Sequence, residues 1–204
     1  VIDASQLPQQ AFGPRAPVWW GNTLFIVIES MSMLILFVSY FYIRQNYDQW
    51  PPPAPEQDPP LFRPLPDLGI ATANVVLLAA TFPLCVWMDI AAKRHNAQLV
   101  RLQLVGLLLV GLVSMVLRGY EFLGVHFRWD DNAYGSVVWG LLFMHALYIL
   151  ASIGETGSIC LWVWMHEWDA KHAMDVTLTA IYWNWMVVVG LLVYVVVFWS
   201  PRVL

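Results

Sequence analysis

Val18–Ile43 reads VWWGNTLFIVIESMSMLILFVSYFYI, twenty-six residues with one ionisable side chain of full charge, Glu29. A helix rises 1.5 Å per residue and the hydrocarbon core of a bilayer is about 30 Å thick, so about 20 apolar residues span it. This stretch is long enough to cross, and Glu29 falls near its middle. A carboxylate at that depth costs roughly 2.5–3.5 kcal/mol on insertion scales. Residues kept at that cost serve a proton path, a polar lipid or a partner subunit, or sit as neutral, hydrogen-bonded acids between helices. Ser30, Ser32 and Ser39 beside it are small polar residues that permit close helix contact.

Four further stretches match the first. Together the expected spans are 18–43, 68–92, 99–123, 133–164 and 176–199, in an all-α integral membrane bundle of five helices. The fourth is long enough to tilt or to project from the membrane. Composition agrees: 59% of the 204 residues are hydrophobic and 12% are charged, about half the charge of a soluble domain. The net charge of −4 speaks against a nucleic-acid partner. Residues 1–17 form an N-terminal segment whose first fifteen residues lack the basic start and short apolar core of a signal peptide. Residues 44–67 form a connector whose Pro51–Pro66 portion, PPPAPEQDPPLFRPLP, favours an extended chain outside the membrane. No internal repeat is visible.

Basic residues in short loops mark the inner side. Lys93, Arg94 and Arg101 cluster at the turn between the second and third spans. That turn, the N-terminus with Arg15 and the loop His166–Asp175 are therefore expected inside. The connector, the loop Leu123–Asn132 and the C-terminus are expected outside. Trp19, Trp20, Trp50, Trp129, Trp164, Trp168 and Trp199 lie near span ends, where amphipathic rings favour the interface.

Few other polar residues enter the spans. Arg118 and Glu121 stand three apart on one helix face near its outer end, either as a local ion pair or as a contact to a lipid headgroup or subunit. His145 lies about twelve residues into the fourth span. A buried haem needs a second ligand at similar depth, and His95, His126, His166 and His172 all map to loops or span ends. His145 is thus expected to hydrogen-bond another helix, a subunit or a lipid. No metal-ligand motif is present. Cys85 and Cys160 read as packing residues, and Asp89 and Glu155 as acids near enough to the inner side to meet water. His166, Glu167, Asp169, Lys171, His172 and Asp175 read as a solvated, mixed-charge loop.

Four stretches in order resemble subunit III of the haem–copper oxidases, the cytochrome c and quinol oxidases. They are Ile28-Glu29-Ser30 followed by MLILFVSYFYIR at 33–44; Tyr120-Glu121-Phe122; Asp131-Asn132-Ala133-Tyr134-Gly135-Ser136, similar to a D-x-x-Y-G-S helix start; and His145, nine residues after Ser136, at the first His of an H-G-x-H pattern. Tyr182-Trp183 and Trp199 resemble the last helix. Departures are Ala146 and Tyr148 within the H-G-x-H pattern, Arg118 in place of Gln, and Asn184 and Val187 at positions usually His and Asp. Members have seven helices, or five when the first two are absent.

The resemblance implies a subunit with no redox centre of its own. It would bind no cofactor itself, with haem and copper in partner subunits. It would pack on subunit I, join subunit II and possible further subunits or a supercomplex, bind phospholipid, and support proton uptake and turnover stability. Glu29 takes the place of the mid-membrane acid, at a subunit I contact near a proton entry. Arg118, Glu121, His145 and Tyr148 take the place of lipid or subunit contacts. The expected location is a bacterial inner membrane, with the mitochondrial inner membrane as alternative. A nitric oxide reductase subunit and a proton-coupled transporter built on Glu29, Glu121 and His145 are the competing readings. Transporters favour repeats and broken helices, and neither is expected from this sequence. A haem- or quinone-binding anchor is disfavoured by the single mid-depth histidine.

Overall fold

The computed structural model describes residues 13–52, 65–168 and 172–203. Among them there is no strand, and five helical stretches are long and apolar enough to cross a membrane. Most of the Pro-rich connector, and Asp169 and Lys171 of the mixed-charge loop, lie outside the described residues.

The first span is α1, Pro17–Arg44, which opens with a proline at its first position and carries Arg44 in its last turn. Proline suits that place because the first amides of a helix have no partner within it. Contrary to the expectation of unbroken helices, the second span is two pieces, α2, Leu68–Ala79, and α3, Thr81–Lys93, meeting at Ala80. Pro83 explains the join: it has no amide hydrogen for the carbonyl four residues back. Thr81 fastens the break, donating to the Leu78 carbonyl at 2.6 Å and accepting from Trp183 Nε1 at 2.8 Å. α4, Ala97–Leu123, begins where Asn96 Oδ1 accepts from Leu99 N at 3.1 Å, an N-cap that satisfies one orphan amide.

α5, Ala133–Met165, gives the D-N-A-Y-G-S stretch a physical reading. Asn132 Oδ1 caps Gly135 N at 2.7 Å, Asp131 accepts from Arg128 N at 2.7 Å, and Ser136 Oγ donates to the Trp129 carbonyl at 2.6 Å. A Cβ on Gly135 would stand 2.4 Å from the Arg128 carbonyl oxygen, so only glycine lets the loop fold onto the helix start. At 33 residues α5 is about 50 Å long, and it ends in exposed residues beyond the buried core.

The last span is α6, Ala173–Tyr194, whose backbone hydrogen bonds lengthen from a four-residue to a five-residue step over Val195–Trp199, and it closes with α7, Ser200–Val203. α4 and α5 form the central pair; α6 packs on α5 and on α3, and α2 on α4 and α6. The core between them holds Trp183, Tyr134, Leu104, Leu107, Leu141, Leu142 and Met88, all fully buried. α1 lies at the edge, against α5 and, to a lesser extent, α6. Of its side chains only Met33 and Tyr40 are buried. Ile28 and Ile35 are each 64% exposed.

Trp20, Trp129, Trp164 and Trp199 are exposed near helix ends, as interface rings are. Trp50 differs. It is buried edge-on against Tyr134 at 4.9 Å and Tyr40 at 5.2 Å, and it donates to Tyr40 Oη at 2.9 Å. Tyr40 in turn meets Ser200 Oγ at 3.1 Å, so the connector's first residues fasten α1 to α5 and α7. Cys85 and Cys160 are free and buried.

Candidate functional site

Two polar clusters occupy the apolar interior. The first is built on Glu29. Tyr182 of α6 donates its hydroxyl to Glu29 Oε2 at 2.8 Å, and Tyr148 of α5 donates to the Glu29 backbone carbonyl at 2.8 Å. Trp185 Nε1 donates to Ser30 Oγ at 2.8 Å. The three donor rings stand together, with Tyr148 5.1 Å and Tyr182 5.4 Å from Trp185. These bonds form at an edge helix with little apolar packing of its own. In lipid no water competes for them, and helix association draws on hydrogen bonds and close packing in place of the hydrophobic effect. Glu29 is half-buried, facing its own chain, while Ile28, Met31 and Ile35 point away from it.

The second cluster is a continuous relay across four helices. Ser114 Oγ donates to Asn74 Oδ1 at 2.7 Å, and Asn74 Nδ2 to Glu121 Oε1 at 2.6 Å. Arg118 Nη1 donates to Glu121 Oε2 at 2.5 Å, and Arg118 Nη2 bonds His145 Nδ1 at 2.7 Å. His145 Nε2 bonds the Met186 carbonyl at 3.1 Å. Spacings of four and three place Ser114, Arg118 and Glu121 on one face of α4. A guanidinium only donates and a carbonyl only accepts, so His145 accepts at Nδ1 and donates at Nε2. That is one neutral tautomer, fixed by its two partners. A Cβ on Gly190 would stand 2.7 Å from His145 Nε2; its absence lets the imidazole reach α6.

Arg118 and Glu121 are 5% and 4% exposed and His145 is fully buried. A position near the outer end of a span is compatible with facing lipid or facing the bundle, and the structure places all three inward, bonded to one another. Side chains so placed reach a lipid or a subunit only through the surface they support. Tyr148 is also buried, turned to α1. Glu29 and the relay are separate clusters.

Three residues that the sequence left without a role belong to these clusters: Tyr182, Trp185 and Asn74. Each sits far along the chain from its partner, and no helical period links them. Glu155 is a fourth. It accepts from Thr179 Oγ1 at 3.0 Å and is partly buried in the α5–α6 seam. Asp89 likewise has partners, Thr177 Oγ1 at 2.6 Å and Lys93 Nζ at 2.5 Å. In the mixed-charge loop His172 pairs with Asp175 at 2.8 Å and Glu167 is exposed. Among the described residues no three His, Cys, Asp or Glu side chains gather as a metal site requires.

A family model for cytochrome c oxidase subunit III matches residues 7–201. The chain belongs to the cytochrome c oxidase subunit III family. With its five apolar helices, that makes it an integral membrane protein. It is 27% identical over 187 residues to cytochrome c oxidase subunit 3 of Aedes aegypti, covering 88% of this chain and 68% of that one. It is 21% identical over 186 residues to the protein of that name from Thermostichus vulcanus, covering 89% and 87%. The subunit 3 of Yarrowia lipolytica is 23% identical over 205 residues, covering 98% and 74%. Relatives thus come from both bacteria and mitochondria-bearing organisms. In this subunit III chain the D-x-x-Y-G-S stretch is a helix-capping device, and the second histidine position, here Tyr148, holds the edge helix.

Proposed function

We propose that the chain is the non-catalytic subunit III of a respiratory haem–copper terminal oxidase. In this reading it packs on the catalytic subunit I beside subunit II, and haem and copper reside in those partners. It binds phospholipid and supports proton uptake and the stability of the enzyme in turnover. The observation that carries the reading is the family match across nearly the whole chain. The edge position of α1 supports it: one side is hydrogen-bonded to α5 and α6, the other presents Ile28, Met31 and Ile35 outward. Such a face suits acyl chains or the apolar helices of subunit I, with Glu29 one helix-width behind it.

The proposed orientation is N-terminus inside, C-terminus outside, in a bacterial inner membrane. Trp19, Lys93 and His95 line one cavity, which puts the basic turn and the start of α1 at the same end, in keeping with the positive-inside rule.

The test is copurification in mild detergent. The chain should emerge with a haem-bearing subunit, and the complex should consume oxygen; isolation as a lone, haem-free protein with an activity of its own would sink the proposal. In that complex Glu29→Gln should assemble normally and shorten the active life of the enzyme or slow its proton-coupled turnover. Unchanged turnover and inactivation would remove the proton part of the reading.

A further inference from the structure

Three helices present polar residues to one seam. On α6 they are Asp175, Thr179 and Tyr182, at steps of four and three. On α5 they are Tyr148, Ser152 and Glu155, at the same steps, and on α1 they are Asn22 and Glu29, seven apart. Steps of three, four and seven keep residues on one helix face. The seam opens into a cavity of about 330 Å³ at the basic end of the bundle, lined by Asn22, Glu155 and Asp175 among apolar neighbours. Within the seam Thr179 bonds Glu155 at 3.0 Å and Tyr182 bonds Glu29 at 2.8 Å. Thr179 and Tyr182 are three residues apart on α6, which sets Glu155 about one helical turn from the Tyr182–Glu29 bond. Between Tyr148 and Glu155 on the same stripe, Ser152 is buried with its hydroxyl unpaired. An unpaired buried hydroxyl calls for a partner such as water.

We propose that this seam is a proton path between the aqueous phase at the basic end and Glu29, with Glu155 as its intermediate acid. The residues are spaced about one helical turn apart from the cavity to mid-depth. The Glu155 carboxylate takes a proton from water in the cavity. One water molecule, held by the Ser152 hydroxyl, carries it from Glu155 to Tyr182 Oη. Tyr182 gives its own hydroxyl proton to the Glu29 carboxylate as it receives the new one, so the tyrosine is unchanged. One proton moves from Glu155 to Glu29, only O–H bonds are made and broken, and no electron is transferred. Among the described residues no lysine or arginine is hydrogen-bonded to Glu155, Tyr182 or Glu29, and at the mouth of the seam Asp175 pairs with His172. The inference rests on the reading of Glu29 as a proton-exchanging acid and adds the route that serves it.

Infrared spectroscopy of the intact complex in lipid nanodiscs tests it. The Glu29 carboxyl band, identified by its loss in Glu29→Gln, is followed after transfer to heavy water. The wild type should exchange readily, and Glu155→Gln, which keeps the acceptor for Thr179, should slow exchange by roughly a hundredfold or more. Ser152→Ala, a smaller change, should slow it to a lesser degree and serves if Glu155→Gln fails to assemble. Exchange at the wild-type rate in both variants overturns the path, as does a wild type with no protonated Glu29 band. Exchange that depends on Glu155, with turnover indifferent to Glu29→Gln, upholds the path and removes the proton role proposed above. Turnover that depends on Glu29, with exchange indifferent to Glu155, leaves the subunit's role standing and discards the path.

Discussion

Glu121 has two acceptor oxygens and both are used, one by Asn74 and one by Arg118. Taking Arg118 away leaves a charge in a place that cannot hydrate it, and taking Asn74 away leaves one carboxylate oxygen without a donor. Arg118→Gln should therefore cost about 3–5 kcal/mol, the range for breaking a buried pair. Removing both charges, as Arg118→Gln with Glu121→Gln, should cost much less, because two amides can bond in place of two ions. Thermal denaturation of the two variants in one detergent checks the order. A second residue-scale prediction concerns Gly190. Its Ala variant sets a methyl group 2.7 Å from His145 Nε2, so the imidazole must leave the Met186 carbonyl or α6 must move. About 1–3 kcal/mol of destabilisation is expected from such overpacking, measured the same way, and His145→Ala in the same chain should relieve the clash. At this scale the sequence was informative about isolated anomalies. Glu29 is legible because it interrupts an apolar run, and Arg118–Glu121 because a spacing of three fixes a shared face. Their partners were hidden, since Tyr182 lies 153 positions from Glu29 and hydrogen bonds between distant helices leave no periodic trace.

The elements differ in how they are held. α4, α5 and α6 interlock through a shared apolar core, whereas α1 has two buried side chains and a row of donors from its neighbours. Tyr148→Phe, Tyr182→Phe and Trp185→Phe each delete one donor. Single changes should cost about 0.6 kcal/mol apiece, the average for hydrogen bonds between membrane helices, and the triple variant should release α1 first. Limited proteolysis at the loop following Arg44 would show it, as faster cleavage there with the other helices intact. The apolar runs made all five spanning helices readable beforehand, because length and composition alone satisfy the bilayer. The division of the second span at Ala80 was not, though Pro83 is its local cause: a proline in a membrane helix is often absorbed by neighbours, and here Trp183 supplies the fastening.

Across the whole molecule the polar groups are sorted by depth. The relay of Arg118, Glu121 and His145 stands toward the end that carries the connector, and the seam of Glu155 and Asp175 opens at the basic end. With the proposed orientation, single cysteines placed at Glu167 and Asp130, both in loops at opposite ends, should label from opposite sides of sealed membrane vesicles. Labelling from one side would refute the topology. The proposed orientation rests on Lys93, Arg94 and Arg101, whereas the sorting of buried charges needed the helices in place. α1 has one last consequence. Lipid tails compete with apolar contacts but cannot form hydrogen bonds, while a short-chain alcohol does both. The molecule should be sturdy to changes of acyl chain and fragile to hexanol, shedding its first helix at alcohol concentrations that leave the remaining helices packed, so its weakness is chemical before it is thermal.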